Sequence, residues 1–236
     1  MFRSALAGEH GLPRLRGSAR EARAVARYSA DATVRRRGNA SEAWLKQTPL
    51  AEFGVVHFAT HALVDEGSVE NTALALAPTN DEDGFIGPAE LANLPLAAEL
   101  VVVSACKTAG GLIVRGEGVQ GLAAPLIAAG ARAVAATWWP IGDVATVRLV
   151  DDFYRAMAEG HPAAEALRLA KLAALQRGAL PREWAAFTLV GDPMARPRLR
   201  VPSDRPTPAL FVAIAAAAVL LAYAVVMRRR HSAERA

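Results

Sequence analysis

The sequence has few of the residues that build disulfides and metal sites. Its 236 residues contain one cysteine, Cys106, so no disulfide forms within the chain and a zinc site made of cysteines is excluded. The histidines are scattered, at positions 10, 57, 61, 161 and 231. We therefore predict that the protein holds no metal ion and needs no cofactor.

The middle of the chain has no net positive charge, although the net charge of the whole chain is +4. Residues 1–50 sum to +6, residues 51–195 to −8 and residues 196–236 to +6. An acidic middle excludes a basic groove through the folded core, so we predict no nucleic-acid partner. The first 17 residues also lack an apolar stretch and carry charges, which does not fit a secretory signal peptide, so we expect the folded part to lie in the cytoplasm.

One long uncharged run stands near the end of the sequence. It covers residues 209–227 and is followed by three arginines. At 1.5 Å per residue a helix of this length measures about 28 Å, which matches the hydrocarbon core of a bilayer. A buried alanine-rich core helix is the alternative. We predict a single transmembrane helix at 209–227, after a Pro/Arg-rich linker at 196–208 and before a basic tail at 228–236. Four arginines on each side leave its orientation undetermined.

Between residues 12 and 195 the pattern alternates between apolar runs and amphipathic stretches. Such alternation predicts an α/β domain, with a mostly parallel sheet covered by helices on both sides. Ser18 and Glu21 have the spacing of a capping box, Asn39 is expected to open a second helix, and Asp143 is expected to cap a long one. The strands are predicted at 32–36, 53–60, 100–105, 132–139 and 186–190, with a hairpin or flap within 65–87.

Two reactive side chains follow two of these predicted strands. His61 comes after the first apolar run, and Cys106 comes directly after the strongest one. Functional groups gather at the carboxyl ends of parallel strands, and a nucleophilic cysteine needs a histidine within hydrogen-bond reach. Taken singly, each has a simpler interpretation, as a buried small hydrophobe or a structural histidine. His57 is the competing base, but it lies inside the apolar run, so His61 is the predicted base.

Four motifs stand in order along the sequence: HFATHA at 57–62, SACKTAGG at 104–111, GEGVQGLAAPLIAAGARAVAATWWPIGD at 116–143 and WAAFTLVGDP at 184–193. Together they resemble the CHAT domain, a family of caspase-like cysteine peptidases that often carries tetratricopeptide repeats. The resemblance covers about residues 12–193 and implies a caspase-like three-layer sandwich with a catalytic dyad of His61 and Cys106. It also implies that backbone N–H groups at Cys106 and Ala62 hold the oxyanion.

The chain departs from the family pattern in three ways. Ala62 stands where the family usually has glycine, and Lys107 where it often has glutamate. Family members normally have a further strand and more chain before residue 12, so we expect the first strand of the sheet to be lacking and a regulatory domain or partner to be missing from this chain.

Two further signals lie after the cysteine. Residues 116–121 fit G-x-G-x-x-G, but the nine residues after Ala105 leave no tight strand-to-helix turn, so nucleotide binding is a weak alternative. Trp139 closes the next predicted strand and Asp143 comes shortly after it. Both are candidates for the substrate pocket, with core packing and helix capping as the simpler interpretations.

These observations predict a membrane-anchored, caspase-like cysteine endopeptidase that hydrolyses peptide bonds in a protein or peptide substrate. The alternative is a catalytically silent CHAT-like adaptor tethered to the bilayer.

Overall fold

The computed structural model describes residues 12, 14, 15, 17–63, 72–107, 119–139 and 141–202. The chain divides into two compact units, Met1–Val201 and Pro202–Ala236. All the elements described below belong to the first unit. Its strands are β1 Val55–Leu63, β2 Ala73–Ala75, β3 Phe85–Ile86, β4 Leu100–Lys107, β5 Ala133–Thr137 and β6 Phe187–Gly191. Its α-helices are α1 Ser18–Ala26, α2 Glu42–Gln47, α3 Pro88–Ala92, α4 Ala123–Ala128, α5 Asp143–Ala158, α6 Ala163–Gln176 and α7 Pro181–Trp184.

The strands form one sheet in the order β3-β2-β1-β4-β5-β6. The three central strands, β1, β4 and β5, are parallel, whereas β2, β3 and β6 each pair antiparallel with their neighbour. The prediction of a mixed α/β fold built on a mostly parallel sheet is therefore confirmed. The predicted hairpin is also present, because β2 and β3 pair at the edge beside β1.

Helices cover both faces of this sheet and create two separate cores. One core contains Leu45 of α2, Leu91 of α3 and Leu126 of α4. The other contains buried residues of α5 and α6, and in α5 they recur at the three- and four-residue spacing of one helix face. This arrangement confirms the expected layers of helix, sheet and helix. The α5 stripe consists of Leu149, Val150, Phe153, Tyr154 and Met157.

A glycine is required where the chain turns into β5. Gly130 has a φ of 112°, in the left-handed region that a residue with a Cβ rarely adopts. A Cβ at this position would also overlap the carbonyl oxygen of Leu96. The turn therefore holds the end of α4 against the loop before β4, and this contact fixes the starts of β4 and β5.

Three helix starts differ from the sequence predictions. The N-cap of α1 is Gly17, which makes no side-chain capping hydrogen bond, so the prediction of a capping box formed by Ser18 and Glu21 is wrong. Ser41, not Asn39, caps α2 by accepting a hydrogen bond from the backbone N–H of Trp44. Gly142 is the N-cap of α5, which places Asp143 one residue later, as the first residue of the helix.

The strand predicted at 32–36 is absent. These residues form no β-ladder, and the chain continues into a 3₁₀ turn at Arg37–Asn39. Residues 31–39 are exposed, so the apolar side chains of Ala32 and Val34 have no core to face. An alternating pattern without a buried face therefore does not form a strand here.

The predicted membrane span at 209–227 lies outside the described residues, as do the basic tail and residues 203–208 of the linker. In the part of the chain that the structure describes, no helix is both long and apolar enough to cross a bilayer. The first linker residues contact the folded unit. Arg196 donates its backbone N–H to Glu99, and Arg200 donates its own to the carbonyl of Tyr28.

Candidate active site

The parallel pairing of β1 with β4 places the two predicted catalytic residues next to each other. The register runs from Val55 opposite Leu100 to Ala62 opposite Lys107, and it pairs His61 with Cys106. Neighbouring strands lie about 4.8 Å apart, and paired positions of parallel strands share a face. His61 and Cys106 are therefore lateral neighbours on one face of the sheet.

The sequence produces this register through two matching apolar runs. Both strands begin with an apolar residue followed by valine, residues 100–105 of β4 are buried, and the residues of β1 are buried or half-buried, as expected for central parallel strands. His61 is the seventh residue of β1, and Cys106 is the seventh residue of β4. Because the two strands start in register, equal spacing from their starts brings His61 and Cys106 into the same row of the sheet.

His61 lies inside its strand, which corrects the prediction that the chain leaves the strand at this residue. The strand continues through Ala62 to Leu63, and these two residues pair with Leu74 and Ala73 of β2. Their fully buried apolar side chains explain the extension. His61 itself is 7 % exposed, so this base is held in a well-defined, mostly desolvated position.

His57, the competing base, belongs to a buried polar network on the same face. Its Nε2 lies 2.8 Å from Oε1 of Glu21 in α1, and its Nδ1 lies 2.9 Å from the hydroxyl oxygen of Tyr154 in α5. The side chains of His57 and Glu21 are 9 % and 5 % exposed. The expectation that His57 is enclosed is therefore confirmed, and its ring nitrogens are both engaged away from the dyad.

The chemistry of the three groups sets the direction of these hydrogen bonds. An ionised carboxylate only accepts, so Nε2 of His57 donates to Glu21. Burial and the negative charge of Glu21 raise the pKa of Tyr154 well above its usual value. Tyr154 therefore keeps its proton, and its hydroxyl group forms a hydrogen bond with Nδ1 of His57. The network ties α1 and α5 to β1.

A small cavity lies beside Glu21, between α1 and the sheet. Its volume is about 10 Å³, which is room for about one water molecule. Ala59 and Ser104 line it from the sheet, and on that face they form the row next to the His61–Cys106 row. The cavity is polar on several sides, and its polar lining residues are Ser18, Glu21, Ser104 and Thr146.

The remaining predicted site residues lie around the carboxyl edge of the sheet. Ala62 is fully buried and is paired on both edges of β1, so its oxyanion role stays a prediction. Trp139 donates its indole N–H to the carbonyl of Arg182 and packs against the α5–α6 core. Asp143 begins α5. The structure thus brings His61 and Cys106 together and places Trp139 in a packing role.

Sequence reasoning missed two features of this region. Trp138, just after β5, is 38 % exposed and offers an indole surface at the carboxyl edge of the sheet, where Trp139 was expected to do so. The sequence contains a signal for this difference, because neighbouring residues of an extended chain, such as Trp138 and Trp139, face opposite sides. The pairing of Glu21 with His57 was also missed, since a capping-box spacing gives the same glutamate a different role.

The described residues also contain one cluster of acidic side chains, on the opposite side of the sheet. Carboxylate oxygens of Glu42, Glu82 and Glu90 all lie within 4.8 Å of one another. The ammonium of Lys46 occupies the centre of the cluster, at 2.8, 2.8 and 2.9 Å from the three residues. Lys46 supplies the positive charge there, and the cluster is an internal ion-pair network.

Together these features define a class of protein, an open α/β sheet between two helix layers with a histidine and a cysteine on adjacent parallel strands. The comparison with protein families agrees. A CHAT domain model matches residues 3–192, so the chain belongs to the CHAT domain family. Tetratricopeptide repeat protein 28 of Mus musculus is a similar protein, 33% identical over 106 residues. The match covers 44% of this chain and 4% of that much longer protein.

Proposed function

We propose that this chain is a membrane-anchored, caspase-like cysteine endopeptidase with His61 and Cys106 as its catalytic dyad. The observation that carries the proposal is the register of β1 and β4, which pairs these two residues on one face of the sheet. The chain has no second thiol, so Cys106 is the one cysteine able to act as nucleophile. Membership of the CHAT domain family supports the same reaction class.

The first half of the proposed reaction forms an acyl-enzyme. The sulfur of Cys106 attacks the carbonyl carbon of the scissile peptide bond while His61 holds the thiol proton. The carbon–nitrogen bond then breaks, the acyl group remains on the sulfur as a thioester, and His61 gives the proton to the leaving amine. Backbone N–H groups near Cys106 and Ala62 stabilise the oxyanion.

The second half regenerates the enzyme. His61 takes a proton from a water molecule, whose oxygen attacks the thioester carbon. The carbon–sulfur bond breaks, the carboxylic acid product leaves, and the proton returns to the dyad. No cofactor or metal ion takes part in either half, because acyl transfer to a thiolate needs only a base and oxyanion donors.

The membrane anchor is proposed from the sequence. The uncharged run at 209–227 has the length of a bilayer span, and arginines flank it on both sides. We expect the full chain to sediment with membranes and to resist extraction by carbonate. Leu220→Arg is expected to release it to the soluble fraction, with Leu220→Ala as the matched control. Equal membrane association of both variants would contradict a spanning helix.

A peptide library tests the proposed reaction directly. The purified full chain is incubated with peptides derived from a bacterial proteome, and new termini are identified by mass spectrometry. We expect cleavage by the wild type and none by Cys106→Ala. Cleavage that survives Cys106→Ala would refute the mechanism.

The second candidate function is a silent adaptor, which the burial of His61 favours, because a mostly desolvated base has limited access to substrate. An adaptor predicts no cleavage and an ordinary thiol pKa near 8.5 for Cys106. An enzyme predicts a thiolate whose alkylation by chloroacetamide depends on His61.

A further inference from the structure

We propose that Glu21 and His57 are positioning residues for the dyad, acting through α1 and β1 on the row that holds His61 and Cys106. The inference rests on the proposed function, since it assigns a supporting role to groups that the proposed reaction does not use. Neither residue is expected to touch the substrate.

The first argument is the position of His57 on the sheet. His57 pairs with Val102, Ala59 with Ser104, and His61 with Cys106, in three successive rows of the same face. His57 therefore lies two rows, about 13 Å along the strand, from the dyad row. A side chain fixed at His57 sets the path of the same strand that carries the base.

The second argument is the burial of the carboxylate of Glu21, whose hydrogen-bond partner among the described side chains is His57. Glu21 is 4 % exposed, and His57 in turn hydrogen-bonds Tyr154. The titratable groups facing His57 from the elements packed on it are Glu21 of α1 and Tyr154 of α5, and the ring of Tyr28 lies 5.8 Å from that of Tyr154. A buried carboxylate is costly unless it is paired, so the network holds α1 in one place.

The third argument is the cavity, which lies between α1 and the sheet. Glu21 lines it together with Ala59 and Ser104, which form the row next to the dyad row on the same face. Gly17 and Ser18, at the start of α1, line the same space. Fixing Glu21 against His57 therefore fixes the start of α1 over the row of β1 and β4 that adjoins His61 and Cys106.

The test uses the single cysteine, so no substrate is needed. The second-order rate of alkylation by chloroacetamide is measured from about pH 5 to 10 for the full chain, with thermal unfolding as the check on folding. We expect Glu21→Ala to lower the rate at neutral pH about tenfold and to move the apparent thiol pKa toward its ordinary value, because a misplaced base no longer holds the thiolate. Glu21→Gln keeps a hydrogen bond to His57 and is expected to stay within about twofold of the wild type.

A second buried glutamate provides the matched control. Glu42 is 1 % exposed and lies in α2, on the opposite face of the sheet. Glu42→Ala is expected to lower the melting temperature without changing the pH profile of alkylation. A purely structural role for Glu21 would give the same result for both alanine variants.

Further variants keep the inference testable if Glu21→Ala does not fold. Tyr154→Phe removes one hydrogen bond of the network but keeps the ring, and we expect a rate drop of about threefold. A wild-type profile for the folded Glu21→Ala protein, or for Tyr154→Phe where Glu21→Ala is unfolded, would overturn the inference. A different result would contradict the proposed function itself: a pH profile of alkylation typical of an ordinary thiol in the wild type, unchanged in His61→Gln.

Discussion

At the scale of single residues, the two histidines of β1 share a face but have different surroundings. His57 is enclosed by Glu21 and Tyr154, with both ring nitrogens engaged. His61 lies four residues further along the strand, in the row of Cys106. Burial alone does not separate them, since both are largely removed from solvent. The two histidines differ in their partners on β4, because His57 pairs with Val102 and His61 pairs with Cys106.

Tyr28 is expected to make stability depend on pH in the alkaline range. Burial and then the hydrogen bond and charge of Asp151 raise the pKa of Tyr28 to about 12, from 10.0. Because the pKa is higher in the folded state, the stabilisation is complete below about pH 10 and disappears as the pH rises through about 12. Tyr28→Phe should lower the free energy of unfolding by about 1 kcal/mol at neutral pH, with a difference that shrinks above about pH 10. Urea unfolding at several pH values measures it, and a constant difference would contradict the assignment.

The two tryptophans after β5 are expected to respond differently to substitution. Trp138 is exposed at the carboxyl edge, so Trp138→Ala should raise KM for cleaved peptides about tenfold and leave the melting temperature nearly unchanged. Trp139 bonds the carbonyl of Arg182 and packs on a core, so Trp139→Ala should destabilise the fold by about 3 kcal/mol. Steady-state kinetics and thermal unfolding distinguish the two. Similar effects on stability would contradict the assigned positions.

At the scale of elements, one lysine joins three pieces of the fold. Lys46 of α2 bonds Glu82 in the β2–β3 connection and Glu90 of α3, as well as Glu42 within its own helix. Glu42 also accepts the backbone N–H of Gly84. Burial acts to lower the pKa of Lys46, but the hydrogen bonds that it donates to the three carboxylates outweigh burial and raise the pKa above its ordinary value. Burial raises the pKa of Glu42.

Two lysines therefore should give opposite results when replaced by methionine. Lys46→Met leaves the buried carboxylate of Glu42 without its cation and should cost about 3 kcal/mol of unfolding free energy. Burial lowers the pKa of Lys171 in α6, so its ammonium is desolvated, and Lys171→Met should be neutral or stabilising by about 0.5 kcal/mol. Chemical denaturation of both variants provides the measurement. Equal losses would show that the network around Lys46 contributes little.

The sequence predicts the elements whose signals are local. The apolar β-branched runs predict β1 and β4, and the turn-rich acidic stretch predicts the hairpin. The prediction of a strand at 32–36 is wrong because alternation alone does not reveal whether a face is buried. The pairing of Glu21 with His57 is not predicted for a related reason, since the two residues meet only after α1 packs on the sheet. Short-range spacing cannot distinguish a capping glutamate from one that bonds a distant strand.

At the scale of the whole molecule, the candidate site results from topology. His61 and Cys106 lie far apart in sequence, and they become neighbours because β1 and β4 are adjacent, parallel and aligned at their first residues. The sequence indicates the two strand positions, and the chain belongs to the CHAT domain family. Residues 51–195, which contain both His61 and Cys106, sum to −8, whereas the basic excess belongs to the two ends of the sequence. The net charge of +4 therefore describes no single surface.

In the proposed mechanism His61 holds Cys106 as a reactive thiolate, and the alkylation rate of Cys106 as a function of pH measures this directly. We predict a thiol pKa well below 8.5 in the wild type and a return to about 8.5 in His61→Gln, with His57→Gln closer to the wild type. An ordinary thiol pKa in the wild type, or the same profile in His61→Gln, would contradict it.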